Sequence, residues 1–108
     1  MCGLAHLGRE RENSMSMADR DGQIWFDGKL VDWRDARIHV LTHTLHYGMG
    51  VFEGVRAYET PRGTAIFRLA EHIERLFRGA KAIMLDIGMT PADLQQTVVE
   101  TVRRSGLR

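Results

Sequence analysis

From Leu69 onward, the apolar residues Leu69, Ile73, Leu76, Phe77, Ala80, Ile83 and Met84 recur at i, i+4, i+7, i+8, i+11, i+14 and i+15. This spacing makes a single stripe on an α-helix and no stripe on a strand, so it predicts a helix over 69–86. Glu71–Arg75 and Glu74–Arg78 stand at i,i+4 in the favourable acid-first order. Gly88 sits close to where a terminating glycine belongs. A second helix is expected to open at Thr90-Pro91-Ala92-Asp93. There the threonine would cap, the proline suits the first turn, and the acid faces the positive helix end. Leu94, Val98 and Val102 would form its inner stripe, and Arg103, Arg104 and Gly106 mark its end.

Upstream of these helices the pattern is of strand type. Ile24-Trp25-Phe26 and Leu30-Val31-Asp32-Trp33 flank Asp27-Gly28, a strong hairpin signal because glycine accepts a positive φ without a Cβ clash. A hairpin is therefore expected over 23–33. Residues 34–50 carry no clear period and read as a loop with a short helical turn. Residues 51–59, VFEGVRAYE, predict a strand with Phe52, Gly54, Arg56 and Tyr58 on one face and Val51, Glu53, Val55 and Ala57 on the other. Residues 60–63 read as a turn, and 64–68 as the returning strand. Strands followed by helices predict an α+β fold, an antiparallel sheet with two helices packed on one face.

The chain has 108 residues, so it makes one small domain or a piece of a larger one, with a modest core. Residues 1–22 lack a sustained period and are expected to be a disordered leader, with translation starting at Met15 or Met17, ahead of a folded part over 23–108. The formal charge of +1 gives no bulk argument for nucleic acid or an anionic membrane. Apolar runs of about five residues fall far short of a membrane span. The opening MCGLAHLGRERENS has no apolar h-region, so no secretory signal is expected and the chain reads as soluble and intracellular. Cys2 is the single cysteine, which excludes an internal disulfide and a cysteine zinc site. The lysines are Lys29 and Lys81, and all other basic residues are arginine.

The stretch His46–Arg56, HYGMGVFEGVR, is the most unusual in chemical terms. Three glycines in seven residues mark tight turns or a backbone approached closely by another group. Gly54, between Phe52 and Arg56 on one strand face, reads either as a packing glycine beside a core phenylalanine or as a notch for a molecule with an apolar and an anionic end. On the helix, His72 and Arg75 share one flank of the apolar stripe. Arg75 reads either as a solvated partner of Glu71 or as a five-donor fork for a phosphate or carboxylate. His39, His43 and His46 cluster in the loop without a metal-ligand spacing signature, so no metal is expected. Ser14, Ser16 and Ser105 have no nucleophile context, and no phosphate-loop or dinucleotide glycine spacing occurs.

HYGMGVFEGVRAY, the later EHIERL and the preceding IWFDGKLVDWRDARIHVLTHTLHYG together resemble the N-terminal small domain of branched-chain amino acid aminotransferases, in the fold-type IV group of pyridoxal-phosphate enzymes. The resemblance runs from Gln23 to Arg108. D-amino acid aminotransferases and aminodeoxychorismate lyases share that fold but usually lack the full Phe-Glu-Gly-x-Arg run. The resemblance implies that Arg75 binds the cofactor 5′-phosphate. It implies that Phe52 walls the substrate side-chain pocket and that Tyr47 reaches into a neighbouring subunit's active site. Gly54 would give the substrate room, Arg56 would belong to the carboxylate-binding network, and Glu53 is left as structural.

The same resemblance places the Schiff-base lysine and the acidic partner of the pyridine nitrogen beyond Arg108, so no catalytic residue is assigned here. It implies amino transfer between leucine, isoleucine or valine and 2-oxoglutarate by a longer, cytoplasmic, homo-oligomeric enzyme, of which this chain would be an inactive fragment with exposed apolar surface. The alternatives are a D-amino acid aminotransferase or aminodeoxychorismate lyase. From another class, the alternative is a noncatalytic module whose arginine-rich helices hold an anionic partner.

Overall fold

The computed structural model describes Met17 and residues 19–106. Strands β1 (Gln23–Phe26) and β2 (Lys29–Asp32) form an antiparallel hairpin with Trp25 opposite Leu30 and Ile24 opposite Val31. Asp27 and Gly28 turn it with φ of 49° and 89°, the double positive φ of a tight hairpin turn. Trp33, at the start of a 3-10 turn over Trp33–Asp35, returns the chain onto what precedes β1. Its amide donates to the Gly22 carbonyl at 3.0 Å, and its indole N–H donates to the Met17 carbonyl at 2.6 Å. Arg34 adds ion pairs to Asp19 at 2.7 Å and Asp21 at 2.9 Å. The expected leader over 1–22 otherwise lies outside the described residues; Met17, Asp19, Asp21 and Gly22 are tied to Trp33 and Arg34 just after the first hairpin.

The helical turn expected in the loop is α1 (His43–Tyr47). Gly48 ends it with φ 64°, donating its amide to the Thr44 carbonyl at 3.1 Å, and this left-handed cap explains a glycine directly after Tyr47. A second hairpin pairs β3 (Ala57–Thr60) with β4 (Gly63–Ile66). The strand expected over 51–59 is thus shorter in its ladder. Beyond the Ala57–Ile66 pair, the Phe67 amide still donates to the Arg56 carbonyl at 2.9 Å. Arg68 then turns at φ 49° into the next helix, so residues 51–55 have no ladder partner. The α+β class holds, with the four strands arranged as two separate hairpins rather than one sheet.

Helix α2 (Leu69–Ala82) is four residues shorter than the expected 69–86. Met84 takes φ 56° and donates to the Lys81 carbonyl at 3.1 Å, while Leu85 donates to the Ala80 carbonyl at 2.8 Å. This pair of bonds is the αL helix stop in which glycine is the usual occupant. Met84 fills that role, so the turn ahead of Gly88 ends the helix and Met84 swings off the stripe to 93% exposure. Helix α3 (Pro91–Ser105) starts as expected, with the Thr90 hydroxyl accepting from the Asp93 amide at 3.1 Å and the Asp93 carboxylate accepting from the Thr90 amide at 3.3 Å. Such a reciprocal cap contributes about 1 kcal/mol.

Helix α3 packs on α2 and touches β1. Leu94, Val98 and Val102 line a groove against Gln23, Ile24 and Trp25. Among the described residues, Ile73 and Ala80 of α2 are the buried apolar side chains. Large apolar side chains stand exposed elsewhere, among them Val40, Leu41, Leu45, Tyr47 and Phe52. The expected exposed apolar surface is therefore present. No helix of the described residues is long and apolar enough to cross a membrane.

Candidate functional site

Residues 51–56 run beside α2 with burial that alternates residue by residue. Val51, Glu53 and Val55 are half-buried, while Phe52, Gly54 and Arg56 are exposed. The period-two reading of this segment thus survives without a ladder, because packing against a helix selects one face as a sheet would. The Val51 side chain lies against α2 at Gly79, where an added Cβ would stand 3.6 Å from it.

Glu53 lies on the inward face with Val51 and Val55, the face the alternation predicts for it, and its partners on α2 are what the sequence reading does not name. Its side chain keeps 10% exposure and receives two neighbours on α2. Arg75 grips both carboxylate oxygens, Nε donating to Oε1 and Nη2 donating to Oε2 at 2.6 Å. His72 Nδ1 lies 2.9 Å from Oε2, and facing a carboxylate it must be the donor. Direct bonding from Arg75 first, and from His72 second, lowers the Glu53 pKa from 4.5 to about 2. Arg75 is raised above its ordinary value by the same pair. The signal was available in principle: a carboxylate alternating with two valines faces inward, and a carboxylate turned inward requires a cation.

The depressed Glu53 pKa has a definite sign in acid. The contact's contribution is fully present above the unfolded value of 4.5 and is lost as the pH falls toward about 2. A carbon-detected NMR titration of the Glu53 carboxyl should therefore leave it ionised at pH 4. A midpoint near the ordinary carboxylate value would show that the clamp does not form in solution.

The Glu71–Arg75 pair expected along the helix does not form. Glu71 instead accepts from Arg68 at 3.0 Å, which leaves Arg75 free to reach across to Glu53. The expected Glu74–Arg78 pair is present but long, at 3.9 Å. Arg68, Arg75 and Arg78, with Phe67, Glu71 and His72, line a shallow groove of about 410 Å³. Arg75 Nη1 makes no hydrogen bond to any described residue. Each of the three arginines has a carboxylate partner, Arg68 with Glu71, Arg75 with Glu53 and Arg78 with Glu74, so what the groove offers an oxyanion such as a phosphate is directional N–H donors, Nη1 of Arg75 among them.

The other expected site residues stand apart from this groove. Phe52 is 92% exposed, so the reading of Gly54 as packing beside a core phenylalanine fails. The notch reading gains no walls either: a Cβ on Gly54 would meet no atom within 4 Å. Arg56 is exposed, with only its carbonyl engaged in the hydrogen bonds of the described residues. Tyr47 lies at the end of α1, its ring 5.7 Å from that of His43. Alternation therefore puts Arg75, through Glu53, on one side of the 51–56 segment and Phe52, Gly54 and Arg56 on the other. The loop histidines serve local bonds: His39 Nδ1 accepts from the Leu41 amide at 3.0 Å, and His46 Nε2 lies 2.6 Å from the Val40 carbonyl. On α3, Arg103 and Arg104 are both paired with Glu100.

The described residues thus form an α+β unit with a thin core, an arginine fixed by a carboxylate and exposed apolar loops. The chain is a member of the class IV aminotransferases, whose family model matches residues 50–108. It is 60% identical over 93 residues to the branched-chain-amino-acid aminotransferase of Pseudomonas aeruginosa, covering 86% of this chain and 30% of that protein. Among solved structures, the branched-chain aminotransferase of Thermoproteus uzoniensis with norvaline matches with 48% identity and a TM-score of 0.77, over 82% of this chain and 30% of that one. The T.th. branched-chain amino acid aminotransferase complexed with N-(5′-phosphopyridoxyl)-L-glutamate matches with 47% identity and a TM-score of 0.79, over the same shares. The chain thus spans about 30% of the length of these relatives. The resemblance to branched-chain aminotransferases drawn from HYGMGVFEGVRAY and EHIERL is borne out.

Proposed function

We propose that residues 23–108 form the small domain of a cytoplasmic, pyridoxal-phosphate-dependent branched-chain aminotransferase that works as a homo-oligomer. The observation that carries this reading is the guanidinium of Arg75, fixed by Glu53 on one edge and unbonded at Nη1 in a groove lined by two more arginines. The donor set fits the phosphate end of the cofactor. It does not extend to the imine end, since Lys29 lies on the first hairpin and Lys81 is exposed on α2. Bound cofactor would supply an electron sink for labilising the amino acid's α-proton.

This chain's residues would act around that chemistry. Arg75 would hold the phosphate and so fix the position of the ring. Phe52 and Tyr47, exposed here, would present apolar surface to an aliphatic side chain, with Gly54 leaving it room. Arg56, its side chain in solvent, would join the binding of the substrate carboxylate. The substrates would be leucine, isoleucine or valine with 2-oxoglutarate. Burying Phe52 and Tyr47 requires surfaces beyond this chain, which accords with relatives about three times its length.

The test is transamination by a protein of the relatives' length that carries this sequence. Amino transfer from leucine, isoleucine or valine to 2-oxoglutarate is expected. Turnover confined to D-alanine or aminodeoxychorismate would replace the substrate assignment. The 108-residue chain by itself, mixed with pyridoxal phosphate and treated with borohydride, should carry no reduced adduct on Lys29 or Lys81. A trapped adduct on either would place the chemistry within this chain.

A further inference from the structure

We infer that Glu53 is a positioning residue for the phosphate anchor: it clamps Arg75 by its Nε–Nη2 edge, turns that guanidinium away from Glu71, and leaves Nη1 for the ligand. The inference deepens the proposed function and rests on it. Its geometry is specific. Arg75 is a long side chain, 65% exposed, that alone would sample many rotamers. Glu71 stands one helical turn before it and offers a competing carboxylate, which here is engaged by Arg68. Glu53 approaches from another element at 10% exposure, on backbone held by Val51 against α2. His72 takes the second lone pair of Oε2, so the carboxylate is pinned by two donors from adjacent turns of the same helix.

Two opposite effects follow from removing the carboxylate. The arginine would present a less neutralised charge to the phosphate, and it would lose its fixed orientation. At an arginine this exposed, solvent and salt screen the first effect strongly. Orientation of a planar fork is not screened, and phosphate recognition by arginine depends on it. The loss of orientation therefore wins, and ligand binding should weaken.

The experiment measures dissociation constants of pyridoxamine 5′-phosphate and of pyridoxamine, which lacks the phosphate, in the aminotransferase of full length that carries this sequence. E53Q keeps the shape but has one acceptor where Arg75 and His72 need two. It should weaken pyridoxamine 5′-phosphate about tenfold, the equivalent of one charge-assisted hydrogen bond, and leave pyridoxamine unchanged. In an R75A background, E53Q should have no further effect on either ligand, because its influence runs through Arg75. E53D, which keeps the charge but falls short of both donors, should lose affinity in the same direction. Equal weakening of both ligands, an effect that persists in R75A, or unfolding of both E53Q and E53D would assign Glu53 to stability alone and overturn the inference. If R75A itself leaves pyridoxamine 5′-phosphate unaffected, the phosphate-anchor reading fails before Glu53 enters.

Discussion

Replacing Arg75 by alanine should weaken binding of pyridoxal 5′-phosphate about a hundredfold in the full-length enzyme, as expected for the loss of an arginine's charge-assisted bonds to a phosphate. The same change leaves the Glu53 carboxylate, at 10% exposure, with His72 as its remaining partner. Some loss of stability should accompany the loss of affinity. Arg75→Lys separates the two effects. A lysine keeps a positive charge near Glu53, yet its single ammonium cannot grip a carboxylate edge-on and face a phosphate at once. Lysine should restore most of the stability and little of the affinity. Equilibrium dialysis of the cofactor, read beside thermal unfolding, checks both. An Arg75→Ala protein that binds the cofactor as tightly as the wild type would remove the basis of the proposed function.

Ile73→Ala should cost about 3 kcal/mol of stability, the middle of the range for removing a buried aliphatic side chain. Ile73 is 2% exposed and shares the buried position with Ala80, one of the smallest side chains. A core this thin has little slack, because small domains sit only a few kcal/mol above unfolding. The 108-residue chain carrying this change should therefore be largely unfolded by circular dichroism at 25 °C. Phe52→Ala removes a larger apolar side chain from a site of 92% exposure and should shift stability by less than about 0.5 kcal/mol. The reverse order of effects would mean that Phe52 is covered in solution and that a contact absent from this chain alone buries it.

Much of the fold was legible in local sequence signals. Asp27-Gly28 between apolar runs and Thr90-Pro91 with Asp93 each name a turn or cap whose geometry depends on a few neighbouring atoms, and both form as written. The limits of α2 and β3 were less legible. Met84 in a left-handed conformation ends the helix early, and the turn at Arg68 leaves residues 51–55 without a ladder partner. Neither has a residue-type signature, since both positions are ones where glycine would be the ordinary choice.

The candidate site divides along the same line. That Arg75 is the arginine to watch followed from its place beside the helix stripe and from the EHIERL resemblance. Its partner was misassigned. Helical spacing pointed to Glu71, four residues away, and the structure pairs Arg75 with Glu53, twenty-two residues away. Helix spacing counts only neighbours on one element, whereas Glu53 arrives on a separate strand-like segment.

Sequence alone determined which residues can be helix, hairpin or cap, and which side chains carry a fork, a hydroxyl or an apolar face, because those properties are set by each residue and its near neighbours. The tertiary structure decided which face of 51–56 meets α2. That choice turned Glu53 inward to hold Arg75 and left Phe52 and Gly54 outward, since one segment packed against a helix must bury alternate side chains and expose the rest.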